Sequence, residues 1–331
     1  MKILFIGGTG IISSACTALA AERGLDLYLL NRGQTSKRGP IPAGIKVLTG
    51  DINDPASARA ALGEQHFDTV VNWINFVPQQ IERDLELFRG RTRQYVFISS
   101  ASAYQTPPGS LPVTESTVLH NPYWEYSRNK IACEERLLRA YREEAFPITI
   151  VRPSHTYDKT LLPFDGGYSV VARMRQGRPV IVPGDGTSLW TLTHHRDFAY
   201  AFLGLLGHPH TIGEAFHITS AEWLPWNQIF QIVAEAAGVP QPSLVHVPSE
   251  LIAAYDPEWG ASLLGDKTHS MLFDNSKIKR LVPDYVARIP FAQGAREIMA
   301  WYDADPEHQQ IDPHFDALTE RILAAYQKAW P

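Results

Sequence analysis

The stretch Phe5-Ile6-Gly7-Gly8-Thr9-Gly10-Ile11-Ile12-Ser13-Ser14 (FIGGTGIISS, residues 5–14) decides how the rest of this 331-residue chain is read. The apolar run KILFI (2–6) stops on two glycines, a third follows after one residue, and an alanine-rich helical pattern begins at residue 11. Glycines between a strand and a helix permit a tight turn. They also let backbone N–H groups approach a phosphate at the helix N-terminus. Gly7, Gly8, Thr9, Gly10, Ile11 and Ile12 are therefore candidate cofactor-binding residues. Where a dinucleotide loop usually carries its last glycine, this chain has Ser13, which widens the helix–strand packing slightly and places a hydroxyl near a phosphate.

Outward from this loop the chain alternates. LDLYLL (25–30), IKVLTGDI (45–52), FDTVVNWI (67–74), QYVFISS (94–100) and PITIVRP (147–153) read as further strands. Helical patterns occupy 11–23, 55–62, 79–89 and 122–144. Such alternation predicts an α/β fold, a doubly wound parallel (Rossmann) sheet covered on both faces, and the near-continuous apolar strands agree. After Pro153 prolines and tryptophans become frequent and the alternation breaks at 154–168 and 239–273. Helical patterns remain at 168–176, 196–206, 225–237 and 315–328, and a late strand at 214–219 returns to the sheet. The expected organisation is a dinucleotide-binding domain over 1–153, completed by that late strand, with 154–331 forming mainly a smaller α/β substrate lobe over the carboxyl ends of the strands.

Composition narrows the function class. Lys and Arg number 30 against 35 Asp and Glu, a formal net charge of −5 without like-charge blocks, which disfavours nucleic acid as a partner. The two cysteines, Cys16 and Cys133, form no CxxC and have no histidine at ligand spacing, so neither a disulfide scaffold nor a metal site is expected. No apolar run approaches the ~20 residues that span a bilayer, and the N-terminus runs straight into a strand pattern. The expectation is a soluble cytoplasmic protein.

The end of the second strand discriminates between nicotinamide cofactors. An acidic residue there would accept bonds from the ribose hydroxyls and repel a 2′-phosphate. This chain has Asn31 and Arg32, with Lys37 and Arg38 close behind, which leans the choice between NAD and NADP toward NADP, while Asn31 can still bond a ribose hydroxyl. Asp51 and Ile52 suit the adenine edge and face. Asn72 or Trp73 is expected at the nicotinamide end, with core packing an equal alternative for Trp73. Ser99, Pro153 and His155, at strand ends, complete the expected cofactor contacts.

Tyr126 and Lys130 in NPYWEYSRNKIACEER are four apart and share one helix face. An ammonium one turn away would favour the phenolate of a residue whose ordinary pKa is near 10. Ser99 and Ser100 close the fifth strand, where a hydroxyl can orient the substrate oxygen whose proton Tyr126 exchanges.

With these residues in place the chain resembles an extended or atypical short-chain dehydrogenase/reductase of the NAD-dependent epimerase/dehydratase family, over nearly its whole length. GGTGIIS matches the glycine loop, GDIND the third-strand end, VFISSASAY the serine strand, YSRNK the Tyr/Lys pair and VRPSHTY the strand after it. VPGDGTSLWTLTHHRDFAYAF and FDNSKIKRLVPDY resemble its C-terminal landmarks. The resemblance implies Tyr126 as acid/base, Ser100 as the catalytic hydroxyl, and Lys130 as the partner that also holds the nicotinamide ribose. It implies a homodimer as well.

Four departures accompany it. Ser13 replaces a glycine, Asn31–Arg32 an acidic residue, and Ala101–Ser102 the Asp–Glu pair of sugar-nucleotide dehydratases, which argues against a 4,6-dehydratase. Ser154–His155 stands where an asparagine usually touches a substrate diphosphate. Ser100, Ser102, His155 and Trp190 are the candidate substrate contacts, with Trp124 a further wall. Arg173, Arg175 and Lys267 could bind an anion but read better as exposed charge. Asp197 is expected to cap or orient a helix after His194 and His195, two adjacent histidines that make a poor metal site.

The function expected is hydride transfer on a sugar or sugar derivative, as an epimerase or an oxidoreductase. The alternatives are an NADPH-dependent reductase of non-sugar carbonyls and a non-catalytic, cofactor-binding regulatory or RNA-binding protein.

Overall fold

The computed structural model describes residues 1–33 and 39–328. Seven strands form one parallel sheet: β1 (Lys2–Ile6), β2 (Asp26–Asn31), β3 (Lys46–Thr49), β4 (Phe67–Asn72), β5 (Thr92–Ile98), β6 (Ile148–Pro153) and β11 (Ala215–Ile218). Between β6 and β11 lie β7 (His155–Tyr157), β8 (Val180–Pro183), β9 (Leu189–Trp190) and β10 (Leu192–His194), and beyond β11 lie β12 (Leu224–Pro225) and β13 (Leu244–Val247). These short strands pair two by two as β10–β7, β12–β9 and β13–β8. The helices are α1 (Ile11–Glu22), α2 (Pro55–Leu62), α3 (Pro78–Phe88), α4 (Glu125–Glu144), α5 (Tyr168–Arg175), α6 (His195–Leu205), α7 (Trp226–Ala236), α8 (Ser249–Tyr255), α9 (Pro257–Ser262), α10 (Ser276–Leu281), α11 (Phe291–Ala304) and α12 (Pro313–Lys328).

The sheet order is β11-β6-β5-β4-β1-β2-β3, every pairing parallel. The order in which strands are added reverses between β1 and β4, and ligands of such sheets sit outside the carboxyl ends at that crevice. Alternate residues of β1 serve the two faces. Ile3 and Phe5 meet Cys16 and Ala20 of α1 and Phe198 and Phe202 of α6. Leu4 and Ile6 meet Leu62 of α2, Ile81 and Leu85 of α3, and Cys133 and Leu137 of α4. A separate core, including Tyr157, Val171, Ile229 and Ile298, is built mainly from the segment after Pro153 and takes in Ala101, Tyr104 and Val113.

Several boundaries differ from expectation. β5 ends at Ile98, so Ser99 and Ser100 lie beyond the strand, and β3 covers only 46–49. Asp197 does not cap α6; the His194 side chain accepts the Arg196 amide there, while the Asp197 carboxylate accepts the Ile289 amide at 2.9 Å. Helix α11, which the sequence patterns above leave out, buries Phe291, Ala295, Ile298, Met299 and Tyr302 at helical spacing. Its Gly294 conceals the pattern: a Cβ there would lie 2.2 Å from the Tyr157 hydroxyl, so the close approach demands glycine.

Candidate active site

The glycine loop connects β1 to α1. Gly7 and Gly8 have φ of +97° and +100°, and a Cβ on Gly8 would sit 2.7 Å from Leu29 Cδ2. The loop therefore passes directly over β2, leaving the first amides of α1 at the mouth of a cavity of about 590 Å³. Ser13 is buried, its hydroxyl accepts the Gly10 amide at 2.8 Å and it still lines the cavity, so the replacement for the missing glycine braces the loop from the cavity wall.

Gly7 through Ile12, Trp73, Ser99, Ser100, Ser102, Tyr126, Lys130, Pro153, His155 and Trp190 all line this one cavity. The Ser100 hydroxyl bonds the Tyr126 phenol and lies 2.9 Å from the Ser102 hydroxyl, which in turn takes the Ser127 hydroxyl at 2.8 Å. Ser99 instead donates to Glu134, and Glu134 pairs with Arg152. Burial pushes the Tyr126 phenol up to about 12; the Ser100 bond opposes that shift and nearby Asp266 adds to it.

Lys130 corrects the expectation attached to it. Its ammonium donates to the carbonyls of Asn75 at 2.6 Å and Ile98 at 2.8 Å, and burial lowers it to about 8. It lies 5.7 Å from the centre of the Tyr126 ring and does not pull the phenol down. Its evident work is to tie the loop after β4 to the end of β5, beside α4.

Other expected residues lie elsewhere. Asn72 is fully buried, donating to Asp84 at 2.6 Å and accepting the Ile74 amide at 2.9 Å; it faces away from the cavity. Trp73 packs on Phe5 and Phe202 and also lines the cavity, and its buried indole N–H has no partner. The Asp51 carboxylate accepts the Asn53 amide, and neither it nor buried Ile52 lines the cavity. Asn31 Oδ1 accepts the Gly33 amide at 2.9 Å and Arg32 is exposed, while Lys37 and Arg38 lie outside the described residues. Arg173 is not exposed charge: it is buried, paired with Asp316 and Glu320 of α12 at 2.6 Å each. Arg175 pairs with Asp303 and Lys267 lies over the Trp124 ring.

Two residues were missed. Asp266 lines the cavity, its carboxyl raised to about 7 by burial against the opposing charge of Lys267. His195 Nδ1 lies 3.1 Å from the carbonyl of Ile11, joining α6 to the start of α1. His155, in the cavity wall, has a buried Nε2 without partner and is held neutral, lowered to about 3 by burial. Among the described residues no group of three potential metal ligands occurs, and no helix is long and apolar enough to cross a membrane.

Residues 3–219, which carry the glycine loop, the serine segment and the Tyr/Lys pair, match the model of a known family. The chain belongs to the NAD dependent epimerase/dehydratase family. Within it, the chain is 28% identical over 262 residues to an Arabidopsis thaliana chloroplast stem-loop binding protein of 41 kDa, covering 74% of this chain and 65% of that protein. It is 27% identical over 293 residues to 2′-dehydrokanamycin reductase of Streptomyces kanamyceticus, covering 87% and 81%. The chain thus spans slightly less than two thirds of the first relative and about four fifths of the second. The fold is that of the UDP-glucose 4-epimerase of Thermotoga maritima solved with UDP-glucose, with a TM-score of 0.73 at 18% identity over 92% of this chain and 99% of that one.

The residues present fit the family's dinucleotide. The loop is closed to any Cβ at Gly8, the α1 amides open onto the cavity, and the unpartnered Trp73 indole lies in its wall.

Proposed function

We propose that this epimerase/dehydratase-family protein is an NAD(P)-dependent oxidoreductase that reduces a carbonyl on a sugar derivative, with NADPH the preferred cofactor. The observation that carries the reading is the Tyr126–Ser100 hydroxyl pair, set in the wall of the same cavity into which the glycine loop opens. When bound along the loop, Trp73 and Lys130, the nicotinamide supplies the hydride.

Tyr126 donates the proton to the carbonyl oxygen. Burial keeps the phenol protonated at neutral pH, so it holds a proton to give to that oxygen. Ser100 orients the same oxygen, and the Ser102–Ser127 hydroxyl chain fixes the Ser100 rotamer. Lys130 holds the segments beneath the pair in register. The NADPH preference rests on the end of β2, where Asn31 Oδ1 is engaged by Gly33, leaving its amide donors and the Arg32 guanidinium to meet a 2′-phosphate. The reductase relative, covered over four fifths of its length, favours an exchangeable cofactor over one retained through epimerisation. Ala101 and Ser102 bring no carboxyl next to Ser100, so water elimination is not part of the reading.

Tyr126→Phe tests it. The variant should lose about 10²–10⁴-fold in NADPH-dependent reduction across a panel of keto-sugars, while NADPH affinity by fluorescence titration stays within about twofold. Unchanged turnover in the variant refutes the assignment.

A further inference from the structure

The cavity beside Tyr126 carries an unusual balance of charge. Lys130 is its one lining ammonium among the described residues, already bonded to two carbonyls, and no arginine lines it. Opposing this, Asp266 places a carboxyl in the wall. Among the described residues no hydrogen-bond donor reaches that carboxyl and no cation forms an ion pair with it. Lys267, its neighbour in sequence, directs its ammonium toward Ser262 Oγ at 3.5 Å and over the Trp124 ring.

Asp266 is held in place with care. It sits in a π-helical turn, Leu263–Lys267, a feature that often marks functional positions. One side chain, Asn121, anchors that turn. Its amide nitrogen donates to the Gly265 carbonyl at 2.6 Å and the Ser102 carbonyl at 2.9 Å, and its oxygen accepts the Trp124 amide at 3.0 Å. The segment carrying Ser100, the start of α4 that carries Tyr126, and the turn carrying Asp266 are thus pinned to one another. Gly265 presses close enough that a Cβ would lie 2.7 Å from Trp124 Cβ.

Asp266 is half-buried, and a carboxyl partly withdrawn from water without a partner is costly, a cost that a ligand cation removes. The surrounding walls, Trp124, Trp190, Phe76 and Phe273, present aromatic faces that attract an ammonium. A substrate diphosphate would bring negative charge beside this carboxyl with no guanidinium to receive it.

We propose that Asp266 is the specificity-determining residue of the substrate cavity, receiving a protonated amino group, so that the substrates are amino-bearing sugars or cyclitols and not nucleotide-diphosphate sugars. This rests on the reductase reading for the identity of the cavity, and its test is independent of turnover. Protein loaded with NADP⁺ is titrated with glucosamine, N-acetylglucosamine and UDP-glucose by saturation-transfer NMR, as wild type, Asp266→Asn and Asp266→Ser. Two variants are used so that one misfolded protein does not end the test. Wild type should bind glucosamine about tenfold or more tightly than N-acetylglucosamine, the size of a charge-assisted hydrogen bond. In the variants the preference should fall to near unity. The proposal is overturned by equal affinities in wild type, by absence of glucosamine binding, by a preference that survives in the variants, or by tighter binding of UDP-glucose than of glucosamine. An inactive Tyr126→Phe variant that keeps the amine preference upholds both readings. Loss of the preference in wild type sinks only the role of Asp266, whereas unchanged turnover in Tyr126→Phe sinks only the proton transfer.

Discussion

Replacing Arg152 by Met should be among the most destabilising single changes in the protein. Arg152 is 5% exposed and Glu134 is 0% exposed, and the guanidinium meets the carboxylate through two bonds of 2.9 and 2.6 Å. Arg152 also lies over the Tyr104 ring at 4.8 Å and donates to the Glu115 carbonyl. Removing the cation leaves Glu134 buried with only the Ser99 hydroxyl as donor, a situation that costs about 3–5 kcal/mol. Methionine keeps much of the apolar contact of the stem, so the loss reports charge more than volume. Taking away both ends, Arg152→Met with Glu134→Met, removes the stranded carboxylate as well, and stability should return to within about 2 kcal/mol of wild type. Urea unfolding, with midpoints converted through a shared m-value, measures all four corners of the cycle. A loss below about 1 kcal/mol for Arg152→Met, or a double variant no more stable than the single one, would refute the reasoning. The pair matters to the site because Glu134 stands one turn beyond Lys130 on α4, so its tether to β6 sets the rotation of the helix that presents Tyr126.

Gly8→Ala combines a φ of +100° with a 2.7 Å clash against Leu29, and should cost about 1–3 kcal/mol in thermal unfolding and weaken nucleotide binding; wild-type values in both would contradict the loop geometry. Asp266 has a carboxyl raised to about 7, above the ~4 of an unfolded chain, so its contribution to stability is full below pH 4 and is lost as pH rises toward 7. Lys267 and Tyr126 are the charged and titratable groups facing it, and Lys267 opposes the shift. Asp266→Asn should flatten that part of the pH profile measured by chemical denaturation of the cofactor-free protein, and an unchanged slope would tell against the burial. Arg32→Glu should weaken NADPH by about tenfold or more while barely altering NADH; parallel losses for the two cofactors would remove Arg32 from the 2′-phosphate site.

The parts legible in the sequence are those where residue identity alone carries the signal. Apolar strand runs, a glycine loop between strand and helix, and a Tyr/Lys pair at helical spacing need no knowledge of distant contacts, and they reappear as β1, its loop and α4. What sequence reading could not supply is direction and partnership. Asn72 and Trp73 are neighbours at a strand end, and side chains alternate across a sheet, so only Trp73 faces the cavity. Arg173 looks like a surface cation until α12, whose Asp316 lies 143 residues later in the chain, closes over it. Asp266 sits in a segment without strand or helix periodicity, and its nearness to Tyr126 is made by an Asn121–Gly265 bond across 144 residues. Lys130 shows the opposite failure: its position was legible, but whether its charge reaches the phenol or two carbonyls depends on packing.

The return of α6 to the first sheet face has a consequence for how the chain can be divided. Phe198 and Phe202 fill the space against Phe5 and Cys16, and His195 reaches the carbonyl of Ile11, so part of the wall behind the glycine loop comes from beyond Pro153. A fragment cut at that proline would leave the loop standing on an open apolar face and a sheet lacking β11. The nucleotide cradle and the second half of the chain are therefore not interchangeable cassettes: grafting a different substrate half onto residues 1–153 would have to bring its own α6 and last strand, matched in shape to β1.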